Sequence, residues 1–184
     1  MTTPKDLDAE IAAYLVGGFE PRRVEIVDYD PEWPERFETE KVLLTDAFGD
    51  AAIRIEHIGS TAVPGLGAKP VIDILVTVAR VVEATIVAIV APLGFELRVR
   101  EADHLALRRP DWSVNLHVYA DDADEVDRYL FFRDRLRDNA ADRELYERTK
   151  RGLSEQEWPD VNHYADAKGP VVEEILSRAI GPSA

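Results

Sequence analysis

The chain has 184 residues, 46% of them hydrophobic and 32% charged, which is enough apolar material for the core of one ordinary domain. Its 36 acidic and 22 basic residues give a formal net charge of −14, which argues against a generic nucleic-acid surface or an anionic membrane as partner. The absence of cysteine excludes disulfides, thiolate metal sites and a cysteine nucleophile. The sequence shows neither a signal-peptide pattern nor an apolar run of membrane length, so we expect a cytoplasmic protein.

Hydrophobic periodicity and turn residues predict helices at both ends of the chain and strands in the middle. In chain order, the predicted elements are a helix at 4–18, a strand at 24–27, a helix after the turn at 30–34 that ends at Phe48, strands at 53–58 and 71–78, a helix at 81–91, strands at 95–100, 104–108 and 113–119, and helices from 121 onward and from 170 to 179. The last three strands indicate an antiparallel meander. This order predicts one α+β domain with a mixed sheet at residues 21–184, after a helical extension at residues 1–20.

The turn at Gly59, Ser60 and Thr61 is the first candidate site. It follows a predicted strand, and the backbone N–H groups and hydroxyls of such a turn can bind a phosphate. Asp73 then interrupts the apolar strand at 71–78, on the face opposite to its two neighbours. A buried carboxylate is costly unless it is paired or bound to a ligand. Asp73 is therefore predicted either to serve a site or to form a structural salt bridge.

Two histidines are candidates for the same cleft. His57 lies near the end of the strand before the turn, and His117 shares a strand face with Asn115. Either side chain could point towards Asp73. A lone histidine is more often a hydrogen-bonded structural residue than a ligand, so both interpretations stay open.

Three basic residues are candidate phosphate contacts. Arg133 lies on or beside the apolar stripe of its helix, next to Asp134, and is expected to form either a structural pair or a phosphate clamp. Lys69 and Lys168 each lie beside a turn rather than in a run of charges. Both lysines are therefore candidates either for phosphate contact or for simple solvent exposure.

A longer motif contains most of these residues. The run from Ile55 to Leu66, together with Lys69–Val76, resembles the signature of the GrpB family. Further segments that resemble the family are 30–33, 115–118, 132–137, Tyr164 and 167–168. The resemblance covers roughly residues 24–180.

The resemblance implies a nucleotidyltransferase-like fold with a mixed, mostly antiparallel sheet flanked by helices, as in the superfamily that includes DNA polymerase β. In that superfamily, a Gly-Ser turn is followed by two acids, separated by one residue, that hold divalent ions. Asp73 matches the first acid, but Leu75 stands at the second. The resemblance therefore implies Asp73, with His117 and His57 as substitutes, as the catalytic set. It also implies a divalent ion, Mg²⁺ or Mn²⁺, held by Asp73 and His117.

Two functions are consistent with these features. The first is a site for a nucleotide or small phosphorylated ligand, with possible nucleotidyl transfer to a small acceptor. The second is a catalytically inactive binding or chaperone-like module, related to the domain that is fused to dephospho-coenzyme-A kinase in some members of the family. Leu75 favours the second function, whereas Asp73 favours a preserved site.

Overall fold

The computed structural model describes residues 4–21 and 23–180. Its helices are α1 (Pro4–Tyr14), α2 (Trp33–Phe48), α3 (Glu83–Val90), α4 (Asp124–Asp138), α5 (Ala140–Ser154), α6 (Val161–Ala167) and α7 (Gly169–Ile180). Its strands are β1 (Ala52–Ile58), β2 (Ile72–Val78), β3 (Glu96–Arg100), β4 (His104–Arg108) and β5 (Val114–Ala120). A 3₁₀ turn at Ser60–Ala62 follows β1.

The five strands form one sheet in the order β1-β2-β5-β4-β3. The β2–β5 pair is parallel, and the other neighbours are antiparallel. The expected α+β fold, with a mixed and mostly antiparallel sheet flanked by helices, is therefore confirmed. The consecutive strands β3, β4 and β5 form the expected meander.

The two faces of the sheet are covered differently. Alternate residues of three strands build the main core on the face covered by α2 and α3: Ile72, Ile74, Val76, Leu105, Leu107, Val114, Leu116 and Val118. On the other face, Ile58, Leu75 and Tyr119 form a smaller cluster with Val126 of α4. Because side chains alternate along a strand, Asp73 lies on this second face, at the register position opposite Ile58.

Helix α2 shows how the sequence builds the first face. Trp33, Phe37 and Leu44 recur at helical spacing and are buried, and each contributes about 1.5–3 kcal/mol by leaving water. Glu40 lies on the same buried stripe, where its carboxylate accepts hydrogen bonds of 2.7 and 2.8 Å from the two terminal nitrogens of Arg109. The pair joins α2 to the turn after β4.

Two predicted elements differ from those observed. The strand expected at 24–27 is wrong, because only an isolated bridge between Val27 and Ala68 forms there. The pairing does not extend towards Glu25, since its partner in the antiparallel ladder would be Pro70, which has no backbone N–H to donate. The first helix ends at Tyr14 rather than at residue 18.

The segment after α1 packs against β3. Leu15 forms a bridge with Val99, and the Val16 N–H donates to the Arg98 carbonyl at 2.8 Å. Ile11 of α1 is buried. Residues 1–3 of the predicted extension lie outside the described residues. Among the described residues, no helix has the length and apolar character that crossing a membrane requires.

Candidate ligand-binding site

A cleft of about 890 Å³ lies between the second face of the sheet and the helices α4 to α7. Its volume is within the range of sites for small molecules and cofactors. Most residues predicted for the site line this cleft: Gly59, Ser60, Thr61, Lys69, Asp73, His117, Arg133 and Lys168. The fold thus brings together side chains from β2, β5, the turn after β1 and the start of α7.

Gly59 allows the turn to approach Asp73. Its φ of +69° lies in the left-handed region, which disfavours residues with a Cβ atom. A Cβ added at Gly59 would lie 2.4 Å from Oδ2 of Asp73. Both the backbone angle and the available space therefore require glycine, and the carboxylate lies directly against the turn.

The surroundings of Asp73 do not fit a resident magnesium site. Its Oδ1 accepts a hydrogen bond of 2.8 Å from Nδ2 of Asn115, its register partner on β5. Leu75 is fully buried in the apolar cluster. Residues 4–21 and 23–180 contain no group of three or more histidine and carboxylate side chains that could hold a metal ion. One carboxylate with one imidazole is a poor ligand set for Mg²⁺, which prefers several oxygens.

Lys150 of α5 reaches the same turn from the helical side. Its Nζ donates to the Ser60 hydroxyl at 2.9 Å and to the Gly67 carbonyl at 2.5 Å. The side chain is only 2% exposed. Burial, and then the nearby charges of Lys168, Arg151 and Lys69, lower the pKa of Lys150 to about 7. Near neutral pH the amine is therefore divided between its charged and neutral forms.

Two tyrosines lie beside the lysine cluster, which we define as Lys69, Lys150 and Lys168. The ammonium groups of Lys69 and Lys168 lie 5.5 and 5.0 Å from the ring centre of Tyr164. The hydroxyl of Tyr146 is hydrogen-bonded to Ser60, and burial raises its pKa to about 12. Burial also lowers the pKa of Lys168, which the charge of Asp73 partly offsets.

His57 lies on the other face of the sheet, so the expectation that it could share the cleft of Asp73 is wrong. Its ring stacks on Phe37 at 4.7 Å in the layer between the sheet and α2. Its Nε2 lies 3.0 Å from Oγ1 of Thr61, and that hydroxyl donates to the Val71 carbonyl. Burial lowers the pKa of His57 to about 4. Both side chains thus hold the turn in place.

Arg133 adopts the structural pairing that the sequence left open. Its guanidinium donates to Glu56 at 2.8 Å, to the His57 carbonyl at 3.0 Å and to Asp134 at 2.8 and 3.1 Å. These bonds tie α4 to β1. The phosphate-clamp interpretation loses its basis, since the guanidinium already binds two carboxylates.

The sequence pattern of the GrpB protein family matches residues 23–178. The chain belongs to the GrpB family. The UPF0157 protein BH1888 of Halalkalibacterium halodurans, a similar relative, is 44% identical over 184 residues, covering 97% of this chain and 94% of the relative. The crystal structure of the conserved protein GrpB from Enterococcus faecalis is similar at a TM-score of 0.73 and 29% identity, covering 85% of this chain and 100% of that one.

A dephospho-CoA kinase of Mycolicibacterium paratuberculosis also contains a region similar to this member of the GrpB family. The two are 29% identical over 186 residues, which cover 85% of this chain and 46% of the kinase. The family assignment made from the motif is therefore confirmed. All residues of the lysine cluster and of the turn lie within the part of the chain that matches the family.

Sequence reasoning missed Lys150. One signal was present: Asp142, Tyr146 and Lys150 are four residues apart and form the buried stripe of α5. A lysine on a polar helix is normally taken as solvated. Its burial depends on the approach of the turn at Ser60, which is distant in sequence.

Proposed function

We propose that the cleft binds a nucleotide or another small phosphorylated molecule, with its phosphates against the lysine cluster and the Ser60 turn. The observation that carries this proposal is the convergence of three lysines on one cleft in a chain with a net charge of −14. The chain contains only five lysines. Such local concentration of positive charge attracts an anion despite the overall negative charge.

The hydroxyl of Tyr164 gives independent support. Tyr164 is 1% exposed and lines the cleft, yet its hydroxyl has no hydrogen-bond partner among the described residues. An unpaired buried hydroxyl is costly in a folded protein. A phosphate oxygen bound in the cleft beside Tyr164 would supply the missing acceptor.

Nucleotidyl transfer to a small acceptor is a second candidate. Asp73 favours it, because its carboxylate lies against the Ser60 turn at the position of the first acid in the resembled superfamily. Release of pyrophosphate from ATP in the presence of small alcohols, with Mg²⁺ or Mn²⁺, tests this candidate. Binding without release under these conditions favours the inactive binding module.

Isothermal titration calorimetry with inorganic pyrophosphate and with ATP tests the binding proposal. Because the cleft does not fit a resident metal, pyrophosphate is expected to bind in the presence of EDTA. Lys150→Met removes a charged donor, and a bond of that kind is worth about 1.5–3 kcal/mol. The dissociation constant should therefore rise by about 10- to 150-fold.

Lys41→Met is the matched control, because Lys41 lies on α2 beside Phe37, outside the cleft. Its variant should bind both probes as the wild type does. Failure of the wild type to bind either probe refutes the proposal, as does equal binding by the Lys150 and Lys41 variants.

A further inference from the structure

The side chains of Glu101, His104 and His117 contact one another in a row that leads along the sheet into the cleft. Oε2 of Glu101 lies 2.7 Å from Nδ1 of His104, and Nε2 of His104 lies 3.2 Å from Nδ1 of His117. The two histidines are on neighbouring strands, β4 and β5, and their rings are stacked at 5.5 Å. His104 also stacks on Tyr119 at 4.1 Å, which fixes its ring plane.

The order of these contacts determines where the protons lie. An ionised carboxylate only accepts hydrogen bonds, so Glu101 accepts from Nδ1–H of His104. A neutral histidine has one N–H, so Nε2 of His104 must accept from Nδ1–H of His117. Nε2 of His117 then carries a lone pair, and within residues 4–21 and 23–180 the side chain of His117 forms a hydrogen bond only through Nδ1.

The surroundings keep both rings neutral. Burial, and then the nearby ring of His104, lower the pKa of His117 to about 4, although the charge of Asp73 acts in the opposite direction. Burial also lowers the pKa of His104, although Glu101 partly offsets this. The single-proton arrangement therefore holds near pH 7, and His117 lines the cleft as an acceptor rather than as a cation.

We propose that Glu101, His104 and His117 form a hydrogen-bonded relay that presents the Nε2 lone pair of His117 to a ribose hydroxyl of a bound nucleotide. The position of His117 fits such a role. It lies on the strand next to Asp73 and on the same face, and Asp73 in turn lies against the Ser60 turn. The lysine cluster, Asp73 and His117 line one cleft, so we place the nucleoside of a ligand whose phosphates lie at the lysine cluster past Asp73, towards His117. This part of the inference rests on the proposed binding of phosphorylated ligands.

The relay itself can be tested without any ligand. The chain has four histidines, so a long-range ¹H–¹⁵N correlation spectrum at pH 7.5 resolves each tautomer. The relay requires Nδ1–H for His104 and for His117. His104→Phe keeps an aromatic ring beside Tyr119 but removes the acceptor for Nδ1–H of His117. His117 should then be a mixture of the Nδ1–H and Nε2–H tautomers.

Two further variants complete this test. Glu101→Gln changes an exposed side chain and should also mix the tautomers, so the result does not depend on the folding of a core variant. His163→Phe is the control, because His163 binds Asp8 of α1 and should leave His117 unchanged. An Nε2–H tautomer of His117 in the wild type overturns the relay.

Recognition of the hydroxyl is tested by calorimetry with ATP and 2′,3′-dideoxy-ATP. The wild type should bind ATP about tenfold more tightly, as expected for one hydrogen bond, and His117→Phe should bind the two within about twofold. Equal affinities in the wild type overturn the hydroxyl contact. If pyrophosphate also fails to bind, the proposed function fails separately, and the tautomer result still decides the relay.

Discussion

The buried amine of Lys150 should make the stability of the protein rise with pH above neutrality. Its pKa is about 7 in the folded state and 10.5 in its ordinary range. Between these values the unfolded chain binds more protons than the folded one, so the free energy of unfolding increases with pH. Below pH 7 the lysine is charged in both states, and the full cost of burying the charge remains.

The size of the effect follows from the two pKa values. Where the lysine is neutral in the folded state and charged in the unfolded state, the free energy of unfolding rises by about 1.4 kcal/mol per pH unit. Between pH 7 and pH 9, partial titration near the lower pKa reduces the gain to about 2 kcal/mol. The comparison ends at pH 9 because burial raises the pKa of Tyr119 and Tyr164. At higher pH these tyrosines lose their protons first in the unfolded chain, which lowers the free energy of unfolding.

Urea unfolding at pH 7, 8 and 9, followed by circular dichroism, measures this gain. Lysine-to-methionine replacement at position 150 should remove about 2 kcal/mol of the increase. The residual slope reports Lys168, whose pKa burial also lowers. Lys41→Met should retain the whole increase. Equal slopes in the wild type and the Lys150 variant would refute the reasoning, because Lys150 would then titrate as an exposed lysine.

Three further changes test other contacts. Gly59→Ala should destabilise the fold more than Gly65→Ala in thermal unfolding, since both glycines have a left-handed φ but only the first alanine would meet Asp73. Asp73→Asn should leave pyrophosphate binding in EDTA as tight as in the wild type or tighter, because it removes a negative charge beside the proposed phosphate site, and should change the free energy of unfolding by less than about 1 kcal/mol, because Asp73 is not the partner of a buried arginine. A loss of several kcal/mol would indicate a structural role. Glu40→Ala should cost about 3–5 kcal/mol by leaving Arg109 unpaired, and Arg109→Met in the same chain should restore part of the loss.

The residues on β2 and β5 were predictable because a strand repeats every two residues. The apolar run around Asp73 identified a strand buried on both faces, and the alternation on β5 placed Asn115 and His117 together. The structure has both features. Local periodicity was sufficient here because the two strands are adjacent and parallel.

The remaining site residues depend on contacts between distant parts of the chain. His57 could have faced either side of the sheet, and only the register of β1 with β2, which pairs His57 with Ile74, places it on the face away from Asp73. Sequence reasoning did not identify His104, which lies in the five-residue strand β4. Its pairing with His117 required the meander to close in one particular register. Such contacts are fixed by tertiary packing and leave no local sequence signal.

The segment after α1 has a consequence for how the protein behaves in solution. β3 is the last strand of the sheet, and unpaired backbone groups on an edge strand can template pairing with another chain. Residues 15–18 occupy part of that edge through the Leu15 bridge, the Val16 N–H and the Gly18 carbonyl, which accepts from Arg98. A chain trimmed to the segment that matches the family would expose this edge. It would be prone to intermolecular strand addition even with the Ser60 turn, Asp73 and the lysine cluster in place.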